Sequence, residues 1–470
     1  MPDTQSSDRQ SDTEHDADDP YGLHPDSIKE PPTDLKGRLL FLGPGLVLVG
    51  SVVGSGEIIL TTTLGSIVGF SMFWFVLLSC WSKTIIQAEL GRYTVSSGEP
   101  FLHAFNRLPG KVPGFNGKKV SWYIYFWILW IIPDLLVGGG IYGGAGQAIT
   151  EAFPSLGSEW WTVGIAFVAM AIALSGTYSF LEKFLTVMVV TFTFITVACA
   201  ILLQMTEYAI TWDEMIAGMG FGFPEMAIIS ALAMYGGTGV GTGEQIAYSY
   251  WCVEKGYARF TGPADESDDW VRRARGWIAV MQTDVKLTLI LLTCATIPFY
   301  MLGAGVLHRL GEKPDGLETI SVLSNMYTTT LGEWAFWLFL VGAFFVLFST
   351  AISGLGANVR VFADGMVVLG LIKRNDYQAR LKILRVWAVF APIATAGAYF
   401  YFLNPVWMLT VGQLLKAIKF PIIAGGVIYL RYRHLDQRIA PSWKSDALLW
   451  LCFAFMIGLA IYILWVKFIA

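Results

Sequence analysis

The chain has 470 residues, of which 54% are hydrophobic and only 14% charged, against about 25% charged in soluble globular domains. With a mean hydropathy of +0.55, this balance excludes an ordinary soluble domain and makes the chain an integral membrane protein. The formal net charge of -4 says little about partners, because much of the acid is confined to residues 1–36.

In chain order, residues 1–36 come first. They are polar, acidic and interrupted by Pro, too poor in apolar side chains to bury a core, and read as a disordered cytoplasmic tail. They lack a basic stretch followed by an apolar core, so they do not form a secretory signal. A helix needs roughly 20 apolar residues to cross a bilayer. On that criterion eleven spans follow, at 39–68, 70–95, 120–148, 160–178, 181–203, 224–251, 276–302, 331–362, 383–403, 405–430 and 447–468.

Alternate loops are basic. Arg107, Lys111, Lys118 and Lys119 follow the second span, and Lys255, Arg259, Arg272, Arg273 and Arg275 follow the sixth. Lys373, Arg374, Arg380 and Lys382 follow the eighth, and Arg431, Arg433 and Arg438 the tenth. The loops after the third and fifth spans contain no Lys or Arg, and the one after the seventh (Arg309, Lys313) is mixed. Lys and Arg accumulate on the cytoplasmic side. The expected topology therefore has the N-terminus inside and the C-terminus outside, in the plasma (inner) membrane. The five Cys are scattered, and the five His fall in the tail, loops or loop edges. Neither set suggests a zinc site, and no hydrolase, nucleotide-binding or metalloprotease motif is present.

Two short stretches stand out. Val53–Ile58 reads VGSGEI, and residues 240–245 read VGTGEQ, each inside an apolar span. Charge at mid-membrane costs about 2.5–3.5 kcal/mol on insertion scales, and each Gly weakens a helix by about 1 kcal/mol relative to Ala. Taken singly, Gly-x-Gly can simply permit close helix packing. As a pair, at the first and sixth spans, the stretches predict two interrupted helices at matching positions of two five-span repeats. Because five is odd, the second repeat is inverted, and such interruptions mark a transporter's substrate site. The expected organisation is residues 37–210 and 211–432 as the two repeats, with residues 433–470 as an additional eleventh helix. Glu57 and Glu244 are expected to meet near the midplane.

Four further stretches carry a resemblance. They are Gly43-Pro44-Gly45 opening the first span, Ile86-Gln87-Ala88-Glu89-Leu90-Gly91-Arg92 with Ser97-Gly98 on the second, Ser349-Thr350-Ala351-Ile352-Ser353-Gly354 on the eighth, and Gly412-Gln413-Leu414-Leu415 with Phe420-Pro421 on the tenth. In this order the chain resembles the natural-resistance-associated macrophage protein (Nramp) family of proton-coupled divalent metal transporters. The resemblance implies an all-α membrane protein of eleven helices with a 5+5 inverted repeat (the LeuT-type fold), and a transporter rather than an enzyme. Where that family carries Asp-Pro-Gly-Asn, this chain has Gly54-Ser55-Gly56-Glu57. Where it carries Met-Pro-His, this chain has Thr242-Gly243-Glu244. The sulfur ligand is gone, and Gln413 stands at the family's tenth-helix Gln.

The predicted cation site therefore comprises Gly54, Ser55, Glu57, Gly241, Thr242, Glu244 and Gln413, with Glu57, Glu244 and Gln413 as the metal ligands. All offer oxygen, which suits a hard divalent ion such as Mg²⁺ or Mn²⁺. Asp134 on the third span is a candidate proton relay, and Lys416 on the tenth a candidate counter-ion. No cofactor is expected; the divalent cation is the substrate, and H⁺ the candidate coupling ion. Membrane lipid is the expected surrounding, nucleic acid is not a partner, and the expected state is a monomer or weak dimer. The alternative reading is a transporter of a small organic cation, amine or amino acid on the same fold, since aromatic rings can cage such cations.

Overall fold

The computed structural model describes residues 22–23, 25–45, 53–175, 178–373 and 376–468. The chain is a helical bundle. Its principal helices are α1 (Leu35–Leu40), α2 (Gly56–Val68), α3 (Phe73–Ser97), α4 (Phe101–Phe105), α5 (Trp122–Ala152), α6 (Ser158–Ser175), α7 (Tyr178–Leu202), α8 (Ile228–Gly237), α9 (Thr242–Lys255), α10 (Asp268–Leu302), α11 (Thr319–Leu331), α12 (Ala335–Leu369), α13 (Tyr377–Phe402), α14 (Pro405–Arg433) and α15 (Trp443–Phe468). Eight helices among the described residues are long and apolar enough to cross a membrane. The other three predicted spans are the two interrupted ones and α3, which carries Lys83, Glu89 and Arg92 within its length.

Local chemistry sets the helix ends. Gly98, Gly256 and Gly370 close α3, α9 and α12 in the left-handed region, which costs a residue without Cβ little. Ser267 caps α10 through the Trp270 amide, and Asn404 caps α14 ahead of Pro405. One group of helices joins α2, α3, α8, α9 and α10; a second joins α5, α6, α12 and α13; α14 packs between them. Large apolar side chains such as Phe167, Phe194, Phe390 and Leu451 remain exposed on the outer helices, as expected of surfaces that face lipid.

The basic loops and the segment after residue 25 gather at one end of the bundle. Arg272 pairs with Glu30, Trp277 Nε1 donates to the Lys29 carbonyl (2.9 Å), and Arg275 and Arg438 tie neighbouring loops together. Asn116 Nδ2 donates to the Gly370 carbonyl (2.6 Å), joining two of the basic loops. The predicted disorder of residues 1–36 falls largely outside the described residues. Its last third is corrected: residues 25–36 include a short helical turn and the first two residues of α1, and Lys29 is held by hydrogen bonds to Trp277 on α10 and to the Phe260 carbonyl. At the other end Arg309 meets Glu214 at 2.7 Å. The basic residue that breaks the loop pattern thus has its charge matched locally.

Two features were not predicted. A short antiparallel hairpin pairs β1 (Lys111–Pro113) with β2 (Lys119–Ser121). The loop after the seventh span holds α11, which buries Ile320, Leu323 and Tyr327, an i, i+3, i+7 spacing legible as helical. Arg92, near the end of α3, is buried. It pairs with Glu89 at 3.0 Å and donates to the Ile439 carbonyl.

Candidate functional site

The sixth predicted span is interrupted. Helix α8 stops at Gly237, Thr238 turns extended (φ -90°, ψ 143°), Gly239 takes φ +67°, and α9 restarts after an extended Gly241. The positive φ explains the glycine at 239. In the first span, Val53 and Gly54 are non-helical and α2 begins with a wide turn over Gly56–Thr61; residues 46–52 lie outside the described residues. The two interruptions are pressed together. Thr61 and Thr238 hydroxyls lie 2.7 Å apart, and Thr238 Oγ1 donates to the Gly56 carbonyl at 3.3 Å. A Cβ on Gly56 would overlap the backbone carbonyl of Gly237, and one on Gly236 that of Gln413. Backbone cannot swing aside as a side chain can. Gly56→Ala is therefore expected to destabilise the protein by at least the ~1–3 kcal/mol of ordinary overpacking, read as a lower thermal midpoint in detergent. A wild-type midpoint would show that the two interruptions are not in contact.

The glutamates share one local device. Gly54 and Glu57, and Gly241 and Glu244, are three apart, the spacing at which a first-turn Glu reaches back toward the residue ahead of its helix. Glu57 Oε2 accepts from the Gly54 amide at 3.1 Å, and Glu244 Oε2 lies against Gly241. Beyond this their surroundings differ. Glu57 has no solvent exposure, and its Oε1 crosses to the Gly239 amide at 2.9 Å, with Thr296 Oγ1 at 3.5 Å. Glu57 therefore bridges both interruptions. Glu244, half-buried, faces a cavity that Glu57 does not line. The expected meeting of the two carboxylates is corrected: Gly239, Thr296 and buried Lys83 surround one, and the cavity surrounds the other.

That cavity, of about 140 Å³, lies between α2, α5, α8, α9, α12, α13 and α14. Of the predicted residues, Ser55, Glu244, Gln413, Asp134 and Lys416 line it; Gly54, Glu57, Gly241 and Thr242 do not. Lys416 Nζ pairs with Asp134 Oδ1 at 2.9 Å, so its partner is Asp134 rather than a glutamate pair. Gln413 is 7% exposed, and its Oε1 has no hydrogen-bond partner. Buried Thr242 Oγ1 is likewise unpartnered, though outside the cavity. Burying a polar atom unpaired costs about 1–3 kcal/mol, so the Gln413 oxygen is an acceptor held ready at the cavity wall.

Sequence reasoning did not assign the α12 wall of Thr350, Ser353 and Asn358 or the ring of Trp387 to the site; Trp127, Tyr142 and Trp251, among the rings on which the organic-cation reading draws, do line it. The polar set had a signal, since positions 350, 353 and 358 share one helix face. Trp387 had none, being no different in sequence from rings that face lipid. Among the cavity-lining residues there is no Met, Cys or His. Among the described residues no cluster of three or more His, Cys, Asp or Glu is placed to hold a metal ion. The site is thus a largely apolar chamber with a few converging oxygens and room for several waters, and its acidic and basic side chains are Glu244, Asp134 and Lys416. It does not have the closed geometry of a dehydrated metal cage.

Comparison with known proteins gives three findings. The family model described as natural resistance-associated macrophage protein-like matches residues 45–466. An uncharacterized protein of Pasteurella multocida (strain Pm70) is 23% identical over 397 residues, covering 82% of this chain and 83% of that protein. Among solved structures, a mutant of the Eremococcus coleocola manganese transporter superposes with a TM-score of 0.62 at 13% identity, covering 93% of this chain and 88% of that one. Mhp1, a nucleobase-cation-symport-1 family transporter, superposes at 0.55 with 12% identity, covering 94% of this chain and 96% of that one. At such identities the structural likeness establishes the fold, a LeuT-type transporter architecture.

Proposed function

The chain belongs to the natural resistance-associated macrophage protein-like family, whose members are membrane transporters of divalent metal cations and not enzymes, and on that premise we propose that it carries a hard divalent cation such as Mg²⁺ or Mn²⁺ by alternating access through the cavity beside the two interruptions. The observation that carries this reading is the donor set, in which Glu244, Asp134 and the unpartnered Gln413 oxygen face one chamber without a sulfur or imidazole. Mg²⁺ keeps several waters and uses one or two carboxylates, which accords with a roomy site and few acids. The orientation in this proposal puts the basic loops and the N-terminus in the cytoplasm.

Proton coupling, in this reading, belongs to the Asp134–Lys416 pair and not to two glutamates sharing a proton. Cation entry displaces the Lys416 ammonium from Asp134; the unpaired ammonium gives up its proton to the lumen together with the cation and is reprotonated from outside when the empty carrier returns. In liposomes, cation uptake is expected to acidify the lumen in wild type and to proceed without acidification in Asp134→Asn. Uptake by wild type with an unchanged lumenal pH would leave transport uncoupled.

The test of the substrate is a flux panel of Mg²⁺, Mn²⁺ and Ca²⁺ in proteoliposomes, with saturable uptake of at least one expected. Uptake of none would end the proposal. A second reading draws on Lys416 and the rings. Lys416 offsets one acid, leaving the cavity's acidic and basic side chains, Glu244, Asp134 and Lys416, with a formal excess of one carboxylate, and the Trp and Tyr faces of the same cavity suit a small organic monocation. Competition of amines against divalent ions separates the two: displacement by an amine with no effect of any divalent ion would favour the organic substrate.

A further inference from the structure

A buried cation lies outside the cavity. Lys83, on α3, has no solvent exposure. Its Nζ donates to the Tyr235 carbonyl at 2.6 Å and to the Thr238 carbonyl. It sits 4.8 Å from the Tyr235 ring centre and 5.5 Å from that of Phe420. Tyr235 belongs to the last turn of α8 and Thr238 is the residue just past it. Carbonyls there have no helical partner, and the helix end presents partial negative charge that favours a cation. On broken transporter helices such carbonyls coordinate monovalent ions.

The donors and acceptors freed by the interruptions are thus divided between two side chains. The amides of Gly54 and Gly239 go to the Glu57 carboxylate; the carbonyls of Tyr235 and Thr238 go to the Lys83 ammonium. Neither side chain lines the cavity, so neither is spent on substrate.

We propose that the Lys83 ammonium is a tethered monovalent cation, built into the interruption between α8 and α9 in place of a free ion. It is a positioning residue. It holds the α8 end open for the chamber and makes that geometry independent of dissolved Na⁺ or K⁺. The inference rests on the fold and on these contacts, not on which substrate the cavity takes, and its test needs no substrate.

The experiment measures thermal unfolding of the purified full-length chain at constant ionic strength in choline, Na⁺, K⁺ or methylammonium chloride. Wild type is expected to give one midpoint in all four. Lys83→Ala, which vacates the ammonium's position but keeps the carbonyls and Glu57, is expected to melt several degrees lower in choline and to recover saturably with Na⁺ or methylammonium. Lys83→Met fills the space without charge and is expected to stay low in every salt, while Lys83→Arg recovers in part. A Lys83→Met protein as stable as wild type would overturn the proposal, as would a folded Lys83→Ala protein indifferent to every small cation. If Lys83→Ala cannot be purified in choline, methylammonium present during solubilisation must restore monodisperse protein for Lys83→Ala but not for Lys83→Met; failure to do so also overturns it.

Discussion

Replacing Glu244 by Gln is expected to remove saturable divalent-cation uptake while leaving the protein folded. Of the predicted ligands, Glu244 is the carboxylate that faces the cavity, and it makes no hydrogen bond to other described residues. Its loss removes one of the two acids lining the site. The remaining acid, Asp134, is already engaged by Lys416 at 2.9 Å. Loss of an outer-shell partner alone typically weakens metal affinity by about 10–100-fold, and a direct ligand is expected to reach at least that. Stability of the cation-free protein should stay within about 0.5 kcal/mol of wild type, as for substitutions that break no packing or bonded network. Titration of the purified variant by calorimetry, together with flux, reads both parts. Wild-type affinity in Glu244→Gln would remove Glu244 from the site.

Glu57 should behave in the opposite way. Glu57→Ala strips the Gly54 and Gly239 amides of their acceptor. Each buried donor left without a partner costs about 1–3 kcal/mol, so the two together are a large share of the ~5–15 kcal/mol that holds a domain folded. Glu57→Gln keeps one acceptor but turns an amide N–H toward a second donor. Its cost is expected nearer the ~1–3 kcal/mol of a single unsatisfied buried group. Thermal midpoints should therefore fall in the order wild type, Gln, Ala, with or without divalent cation. Should Glu57→Ala melt like wild type yet lose cation binding, Glu57 would be a ligand after all, as the bare spacing suggested.

The two experiments together separate roles that look identical in the linear chain. Glu57 and Glu244 occur in near-copies of one hexapeptide, each three residues after a glycine and each at the head of a resumed helix. Read locally they are interchangeable, and both read as ligands.

Much was legible without coordinates. Runs of about 20 apolar residues locate spans because the bilayer leaves a backbone no other way to satisfy its polar groups. The alternation of basic loops follows from the energetics of insertion, and the glycine pairs mark interruptions because helix propensity is a local property. Each of these depends on residues within one or two turns of each other. The amphipathic α11 is legible in the same terms, but at 13 residues it is too short for the span criterion to find. The partner of a buried side chain obeys different rules. Lys83 is 26 residues from Glu57 in the chain, Gly239 is 182 residues away, and the packing of α3 and α8 against α2 brings them to one carboxylate. The packing of α5 and α14 against α9 gives the other carboxylate a chamber with Asp134, Gln413 and Lys416. Local spacing sets where a helix opens; contacts between distant segments set whether the acid at that opening seals the break or faces the cavity.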